Sequence, residues 1–402
     1  MNSRLTVVLA ILLRVGPNDP WSQTRYADEI FPDVSVFQGV PFGANINLRG
    51  EMQTLRLDCY QPSGDTLSKR PLLVWIHGGG FVGGSRDDLK AKAMGTAYAK
   101  RGYVAASIDY RVGVADAASA AAFLESMLRA VQDGKAALRF FRKNAALYRV
   151  DTARVFVGGS SAGGVTTLLL AYWDQDEIPA ALDQARWGNL EGSSGNPGYS
   201  SRVDAALNCW GAIPDTNWID RGEPPVGCFH GMLDPTVPYD VGLSKEGFLL
   251  CGSAAVCRAA SRLGIYNELS LQPGMKHGVA TQAELDSVIR FTSRFLFRVI
   301  EAQGHTGAPR LTGPPRAFRL EQNYPNPFNG ATRIRFALHE PVRVRITVQN
   351  IAGRTVATPV DGFLDAGEHA AMWEGTAFPA GLYVCKMTVD GWAERRKMVL
   401  VK

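Results

Sequence analysis

The sequence contains no C-x-x-C pair, no run of five or six lysines or arginines, and no Gly-Lys-Ser or Gly-Lys-Thr. The first absence removes the spacing of a zinc finger or a thioredoxin-type redox motif. The second leaves nucleic-acid binding without compositional support, and the third excludes a P-loop. A formal charge of +5, from 43 Lys and Arg against 38 Asp and Glu, is small for 402 residues. Beyond the first few residues no stretch is apolar enough to cross a bilayer, so no integral membrane segment is expected. Neither a metal-ligand nor a cofactor signature is present, and the expected chemistry therefore belongs to the chain's own side chains.

What is present is an ordinary globular composition, 46% hydrophobic and 20% charged, on a chain long enough for two domains. At the start, Arg4 and the apolar run Leu5 to Leu13 have the charge and size of a signal-peptide core, too short for a span. Arg14 ends that run and no Ala-x-Ala follows, so residues 1–16 read either as a signal peptide or as a buried terminal helix or truncated start. Of the six cysteines, Cys251 and Cys257 bracket a short Gly/Ser/Ala segment and could close one loop in an oxidising compartment. Cys59, Cys209, Cys228 and Cys385 read as buried thiols.

From about Leu72 to Leu296, short apolar or β-branched runs alternate with helical patterns, as a mostly parallel sheet flanked by helices requires. The runs are Leu72 to Ile76, Val104 to Ile108, Val155 to Val157, Val203 to Leu207 and Val226 to Phe229, with amphipathic helices at Phe123 to Asn144 and Val288 to Val299. The α/β domain is placed at residues 17–303. Residues 304–319, rich in proline and glycine, read as a linker. Beyond it, Arg333 to Leu338 and Val342 to Val348 alternate polar and apolar residues, and Gly381 to Val384 and Lys397 to Val401 read as later strands. Residues 320–402 are therefore expected to form a small all-β sandwich, its arginines on a solvated face.

Acyl transfer needs a nucleophile on a sharp turn, a base, an acid that orients the base, and donors for the oxyanion. Val155 to Val157 runs into Gly158-Gly159-Ser160-Ser161-Ala162-Gly163-Gly164, where Gly159-x-Ser161-x-Gly163 has the spacing of a nucleophile elbow. Ser160, flanked by Gly158 and Ala162, is the rival. After the strand ending at Ile76 comes His77-Gly78-Gly79-Gly80-Phe81, a loop of the oxyanion-hole type. Gly79, Gly80 and the amide of Ala162 are the expected donors. The same stretch formally fits a dinucleotide fingerprint, a weak pattern by itself.

Chain order in this arrangement runs serine, acid, histidine. Of six histidines, His77 precedes the serine, and His305, His339 and His369 lie in the linker or the C-terminal domain. His230 ends a buried strand and reads as a structural partner of the loop that follows. Asp234, in that loop, is the expected acid, with Asp215 and Asp240 as reserves. His277, in a turn before the final helix, is the expected base.

Taken together, His77 to Phe81, the elbow at Ser161, and His230-Gly231 through Asp234 to His277 resemble bacterial carboxylesterases of the α/β-hydrolase superfamily, over roughly residues 33 to 300. Ile108-Asp109-Tyr110-Arg111 and Asp151 to Val155 add to the likeness, which extends to feruloyl and acetyl-xylan esterases. The resemblance implies a secreted serine esterase working through an acyl-serine on acetyl, feruloyl or other polymeric or aromatic esters, polyesters included. A departure is that Asp234-Pro235-Thr236 continues to Val237-Pro238 in place of the Asp-Pro-Leu of hormone-sensitive-lipase types. With no long cap insertion, the cleft is expected to be open, and Phe81, Trp210 and Trp218 are the candidate substrate contacts, with core packing the alternative for Trp210. A serine peptidase of prolyl-oligopeptidase type would share the triad order but needs a large gating domain, and a non-catalytic hydrolase-like binding module would not need every triad position filled. Further on, Gln322-Asn323-Tyr324-Pro325-Asn326-Pro327-Phe328-Asn329, Asn350 to Arg354 and Gly381 to Lys402 resemble a type IX secretion sorting domain. That resemblance implies recognition by secretion machinery and export across both membranes of a Gram-negative cell.

Overall fold

The computed structural model describes residues 24–180, 182–304, 318–338, 341–351, 353–389 and 392–401. The signal-peptide segment and most of the linker lie outside them. Two compact units divide the chain at Pro314 and Pro315.

The larger unit is built on one eight-stranded sheet. Its strands are β1 (Val34–Ile46), β2 (Met52–Pro62), β3 (Arg70–Ile76), β4 (Val104–Ile108), β5 (Val150–Ser160), β6 (Ala205–Cys209), β7 (Val226–Gly231) and β8 (Asn267–Gln272), in the order β1-β2-β4-β3-β5-β6-β7-β8. β1 and β2 pair antiparallel, as do β2 and β4, and the remaining neighbours are parallel. Helices α1 (Leu89–Lys100), α2 (Ala120–Lys143), α3 (Ala162–Tyr172), α4 (Ser253–Leu263) and α5 (Gln282–Gly304) cover both faces.

Central strands buried on both faces send alternate side chains into two cores. Leu72, Val74 and Ile76 of β3 join Leu128, Leu168 and Val256 from α2, α3 and α4, whereas Leu73 and Trp75 join Met94, Tyr98 and Phe295 from α1 and α5. Helix starts are fixed locally: Asp88 accepts from the amides of Lys90 and Ala91 at the head of α1, and Ser119 accepts from Ala122 at the head of α2. Arg111, of the Ile108 to Arg111 stretch, is buried against Asp133 of α2 at 2.9 Å. Asp133 also accepts from Ser194 Oγ at 2.6 Å, and Arg111 donates to the carbonyl of Ile46 at 3.0 Å, which ties β1 and the α3–β6 connection to α2. Paired and fully hydrogen-bonded in this way, the buried charges carry their partners and are not isolated.

All six cysteines are free, which corrects the Cys251–Cys257 pairing. Cys251 ends a short strand, Leu249–Gly252, while Cys257 lies inside α4, buried and donating to the carbonyl of Glu268 at 3.7 Å. The strand-to-helix change at Gly252 puts the two thiols on different elements.

The smaller unit consists of two antiparallel sheets. β9 (Phe318–Leu320), β10 (Ala331–Leu338) and β13 (Gly367–Glu374) pair in the order β9-β10-β13, and β11 (Val342–Asn350), β12 (Thr355–Leu364), β14 (Gly381–Val389) and β15 (Trp392–Leu400) in the order β12-β11-β14-β15. Ile334, Phe336, Val344, Ile346 and Val348 point inward, and the intervening Arg333, Arg335, Arg343 and Arg345 are exposed. The Gln322 to Asn329 motif joins the ends of this unit: Phe328 exchanges backbone hydrogen bonds with Val399 and Val401, and Asn323 donates to Thr332 Oγ1 at 2.9 Å.

Candidate active site

β5 ends at Ser160 and α3 begins at Ala162, which leaves Ser161 alone on the turn, at φ 57° and ψ −124°. A serine in that left-handed region is strained unless its surroundings hold it there. Its amide donates to the carbonyl of Cys209 at the end of β6, at 2.9 Å. The flanking glycines are required by close approach: a Cβ on Gly159 would lie 2.4 Å from the carbonyl of Gly163, and one on Gly163 would lie 2.1 Å from that of Ile76. Larger residues at either position would push α3 off the sheet edge.

Three elements meet at this turn. His277, in the turn between β8 and α5, places Nε2 2.8 Å from Ser161 Oγ. Its Nδ1 is 2.7 Å from Asp234 Oδ2, in the loop after β7. The Asp234 side chain is fully buried and that of His277 about one-fifth exposed. Burial pushes the Asp234 carboxyl up, but N–H donors from His230, His277, Val237 and Thr236 outweigh it and hold the group well below the usual carboxylate range. The carboxyl is thus ionised at neutral pH, and its Oδ2 takes the Nδ1 hydrogen of His277, so that Nε2 faces the Ser161 hydroxyl as an acceptor. Ser160 makes no such contact among the described residues. Neither do the reserve acids: Asp215 caps a short turn through the amide of Asn217, and Asp240 pairs with Arg258.

Beside Ser161, the loop after β3 has three successive residues at positive φ: Gly79 at 115°, Gly80 at 60° and Phe81 at 62°. At Gly79 a Cβ would sit 2.2 Å from the carbonyl of Gly83, so the loop folds as it does only with glycine there. His77 anchors it, stacked on Tyr110 at 4.3 Å with Nδ1 2.6 Å from the carbonyl of Gly78. Burial pushes the His77 imidazole below its ordinary value, which keeps it neutral in this role. No hydrogen bond from the amides of Gly79, Gly80 or Ala162 is made among the described residues. Unsatisfied amides at a site are donors available to a ligand.

A cavity of about 270 Å³ opens on Ser161 and His277, lined by Gly78, Gly79, Trp75, Met94, Trp210 and Leu285, with Asp88 and Lys90 also in its wall. Trp210 is the one candidate substrate contact that reaches it. Its ring is buried, at φ 54°, and its Nε1 donates to the carbonyl of Lys276 at 3.0 Å, so the indole braces the histidine turn as well as walling the cavity. The expectation for Phe81 is corrected: its ring is buried beneath the loop, edge-on to Tyr110 and Phe123, and does not line the cavity. Trp218 is corrected too. It stacks on Trp173 at 5.3 Å, and Trp173 caps the far end of α3, roughly 18 Å along the helix from Ser161 at 1.5 Å per residue. A larger cavity of about 1410 Å³, bordered by Trp173, Asp204 and Tyr266, holds none of these groups.

Sequence reasoning placed His230 in the loop's framework but missed its contact with the acid. Its Nε2 is 3.2 Å from Asp234 Oδ2, the same oxygen that His277 holds. The four-residue spacing from His230 to Asp234 was the available signal.

Residues 57–213 match the family model BD-FAE, and residues 322–402 match that of the secretion system C-terminal sorting domain. Among curated proteins, the chain is 32% identical to carboxylesterase 3B of Mus musculus over 39% of its own length and 28% of the mouse protein's. It is also 32% identical to the medium-chain fatty acyl-CoA hydrolase precursor of Anas platyrhynchos, over 31% and 22% of the two chains. It thus spans less than a third of the length of these two relatives. Carboxylesterase NlhH of Mycobacterium tuberculosis is 27% identical over 52% of this chain and 66% of its own. Among solved structures, esterase 2 of Thermogutta terrifontis phosphonylated by cyclosarin superposes with a TM-score of 0.50 at 22% identity, over 67% of this chain and 95% of that one, a likeness of fold. The chain therefore has an α/β-hydrolase unit similar to carboxylesterases, followed by a secretion-system sorting domain that marks it for export to the surface or surroundings of a Gram-negative cell.

Proposed function

We propose that the protein is a secreted serine carboxylesterase that hydrolyses carboxylic esters through an acyl-serine, with its C-terminal domain engaged by the secretion machinery. The observation that carries this reading is the continuous hydrogen-bonded line from Ser161 Oγ through His277 to Asp234, beside three amides with no partner among the described residues. In the proposed reaction His277 Nε2 takes the Ser161 proton as Oγ attacks the ester carbonyl carbon. The oxyanion draws on the amides of Gly79, Gly80 and Ala162, each such donor contributing roughly 3 kcal/mol to the transition state. Collapse breaks the bond to the alcohol, which leaves with the proton from His277. Water, deprotonated by the same ring, then releases the acid and restores the serine.

The cavity is partly open, as expected without a cap, and its small volume of about 270 Å³ with Trp75, Met94, Trp210 and Leu285 in its wall favours a compact acyl or aryl group over a long chain. Acetyl and feruloyl esters on plant polysaccharide, and aromatic polyesters, meet that description. Initial rates on p-nitrophenyl esters of increasing acyl length, run beside acetylated xylan and feruloyl esters, test it. The expected profile is highest for short acyl and aryl groups and falls steeply for long chains. A profile that rises with chain length would overturn the assignment of substrate class, and no turnover of any ester would overturn the activity.

A further inference from the structure

Behind the Ser161–His277–Asp234 line lies a second, wholly buried chain of hydrogen bonds that the proposed reaction does not use. His230, the fifth residue of β7, is fully buried. Its Nε2 faces two acceptors, Asp234 Oδ2 and the carbonyl of Val237, both at 3.2 Å. Neither an ionised carboxylate nor a carbonyl can donate, so Nε2 carries the hydrogen. On the other side of the ring, Nδ1 is 2.7 Å from Ser253 Oγ, and that hydroxyl is 3.0 Å from Asn208 Nδ2. Asn208 is itself oriented, since its Oδ1 accepts from the amide of Gly211 at 2.9 Å. The amide of Asn208 can only donate to the hydroxyl, which leaves the Ser253 hydrogen for Nδ1.

Every proton position in this chain is thereby set by its far end. Asn208 donates to Ser253, Ser253 to His230, and His230 to Asp234, whose Oδ2 also takes the N–H of His277. The hydrogen bonds thus place Nε2–H toward Asp234 and Nδ1 toward the Ser253 hydroxyl. The charged and titratable groups facing the ring are Asp234 and, across it, His277; Arg258 of α4 turns away to Asp240. Asn208 also precedes Cys209, whose carbonyl holds the Ser161 amide, so the same strand end supports both the acid and the nucleophile turn.

We propose that His230 is a positioning residue: a second N–H donor that fixes Asp234 from within the core, so that His277 is aimed at Ser161, with its own ring set by Ser253 and Asn208. The proposal rests on the esterase reading of the three residues it supports. Removing the second donor leaves Asp234 more basic, which strengthens its hold on protonated His277 and raises the pH at which His277 titrates.

The test compares wild type with His230→Leu, His230→Gln and Ser253→Ala, by the pH profile of kcat/KM and by NMR titration of 15N-histidine. Ser253→Ala removes one hydroxyl and keeps the fold if the larger change does not. Losses in kcat of about a hundredfold for His230→Leu and about tenfold for Ser253→Ala are expected, with KM nearly unchanged. His277 should titrate at higher pH in both, and His230→Gln, which keeps an N–H toward Asp234, should recover most of the rate. An unmoved His277 titration in folded variants would overturn the proposal, whatever happens to the rate. A moved titration in a protein that hydrolyses no ester would uphold the positioning and overturn the esterase reading.

Discussion

Ser161→Ala is expected to lower kcat by about a millionfold on any ester the wild type turns over, while leaving the fold and melting temperature close to wild type. The size of the loss follows from what disappears: without Oγ no acyl-enzyme can form, and only binding and the oxyanion donors remain to act on a water molecule. The fold persists because the alanine side chain keeps a Cβ at the same φ of 57°, between the same glycines, and the hydrogen bond to the Cys209 carbonyl is made by backbone. Ser160→Ala is the control, since Ser160 lies on the strand and makes no contact with His277 among the described residues. Initial rates and thermal unfolding of both variants decide the matter. A large loss in the Ser160 variant with activity retained in Ser161→Ala would move the nucleophile.

Asp234→Asn is expected to lower kcat by about ten-thousandfold, and to weaken the fold as well. The native carboxylate divides its two oxygens between two tasks. Oδ1 accepts from the amides of Thr236 and Val237 at 2.8 and 3.0 Å, and Oδ2 from His277 and His230 at 2.7 and 3.2 Å. An asparagine amide has only one oxygen. Turned toward the histidines, it sets its NH2 against two backbone donors; turned the other way, it sets that group against two imidazole N–H groups and inverts the tautomer of His277. Because folding depresses the Asp234 pKa, the carboxylate's contribution to stability is fully present above about pH 4, the unfolded value, and is lost as pH falls toward the lower folded value. The melting temperature of Asp234→Asn should accordingly lie below wild type at pH 7, with the gap closing in acid. Equal melting temperatures at pH 7 would contradict the stabilising role, and near-normal kcat would contradict the catalytic one.

What the sequence made legible follows from how much of each element is buried. Strands β3, β4, β6 and β7, with β5 from Val155 on, are enclosed on both faces and announce themselves as apolar runs. β1 and β2 at one edge and β8 at the other went unread, since β1 is largely exposed and interrupted by bulges, and Asn267–Gln272 is mostly polar. In the smaller unit β12 and β13 are half-exposed for the same reason. Ser161, Asp234 and His277 are singled out by glycine spacing and chain order, which are local properties, and they are also the residues that the hydrogen bonds join. Trp218 and Phe81 could not be judged locally. Where an aromatic ring ends up depends on which helix end or loop underside it packs against, as Trp173 and Tyr110 decide here.

The most direct measurement is covalent labelling with a fluorophosphonate, followed by peptide mapping of the adduct by mass spectrometry. A serine activated by the His277–Asp234 pair and facing free amides should take one phosphonyl group per chain, on Ser161, with loss of ester hydrolysis in proportion to labelling. No adduct, or an adduct on Ser160 or on a residue outside the site, would contradict the assignment of Ser161 as the nucleophile.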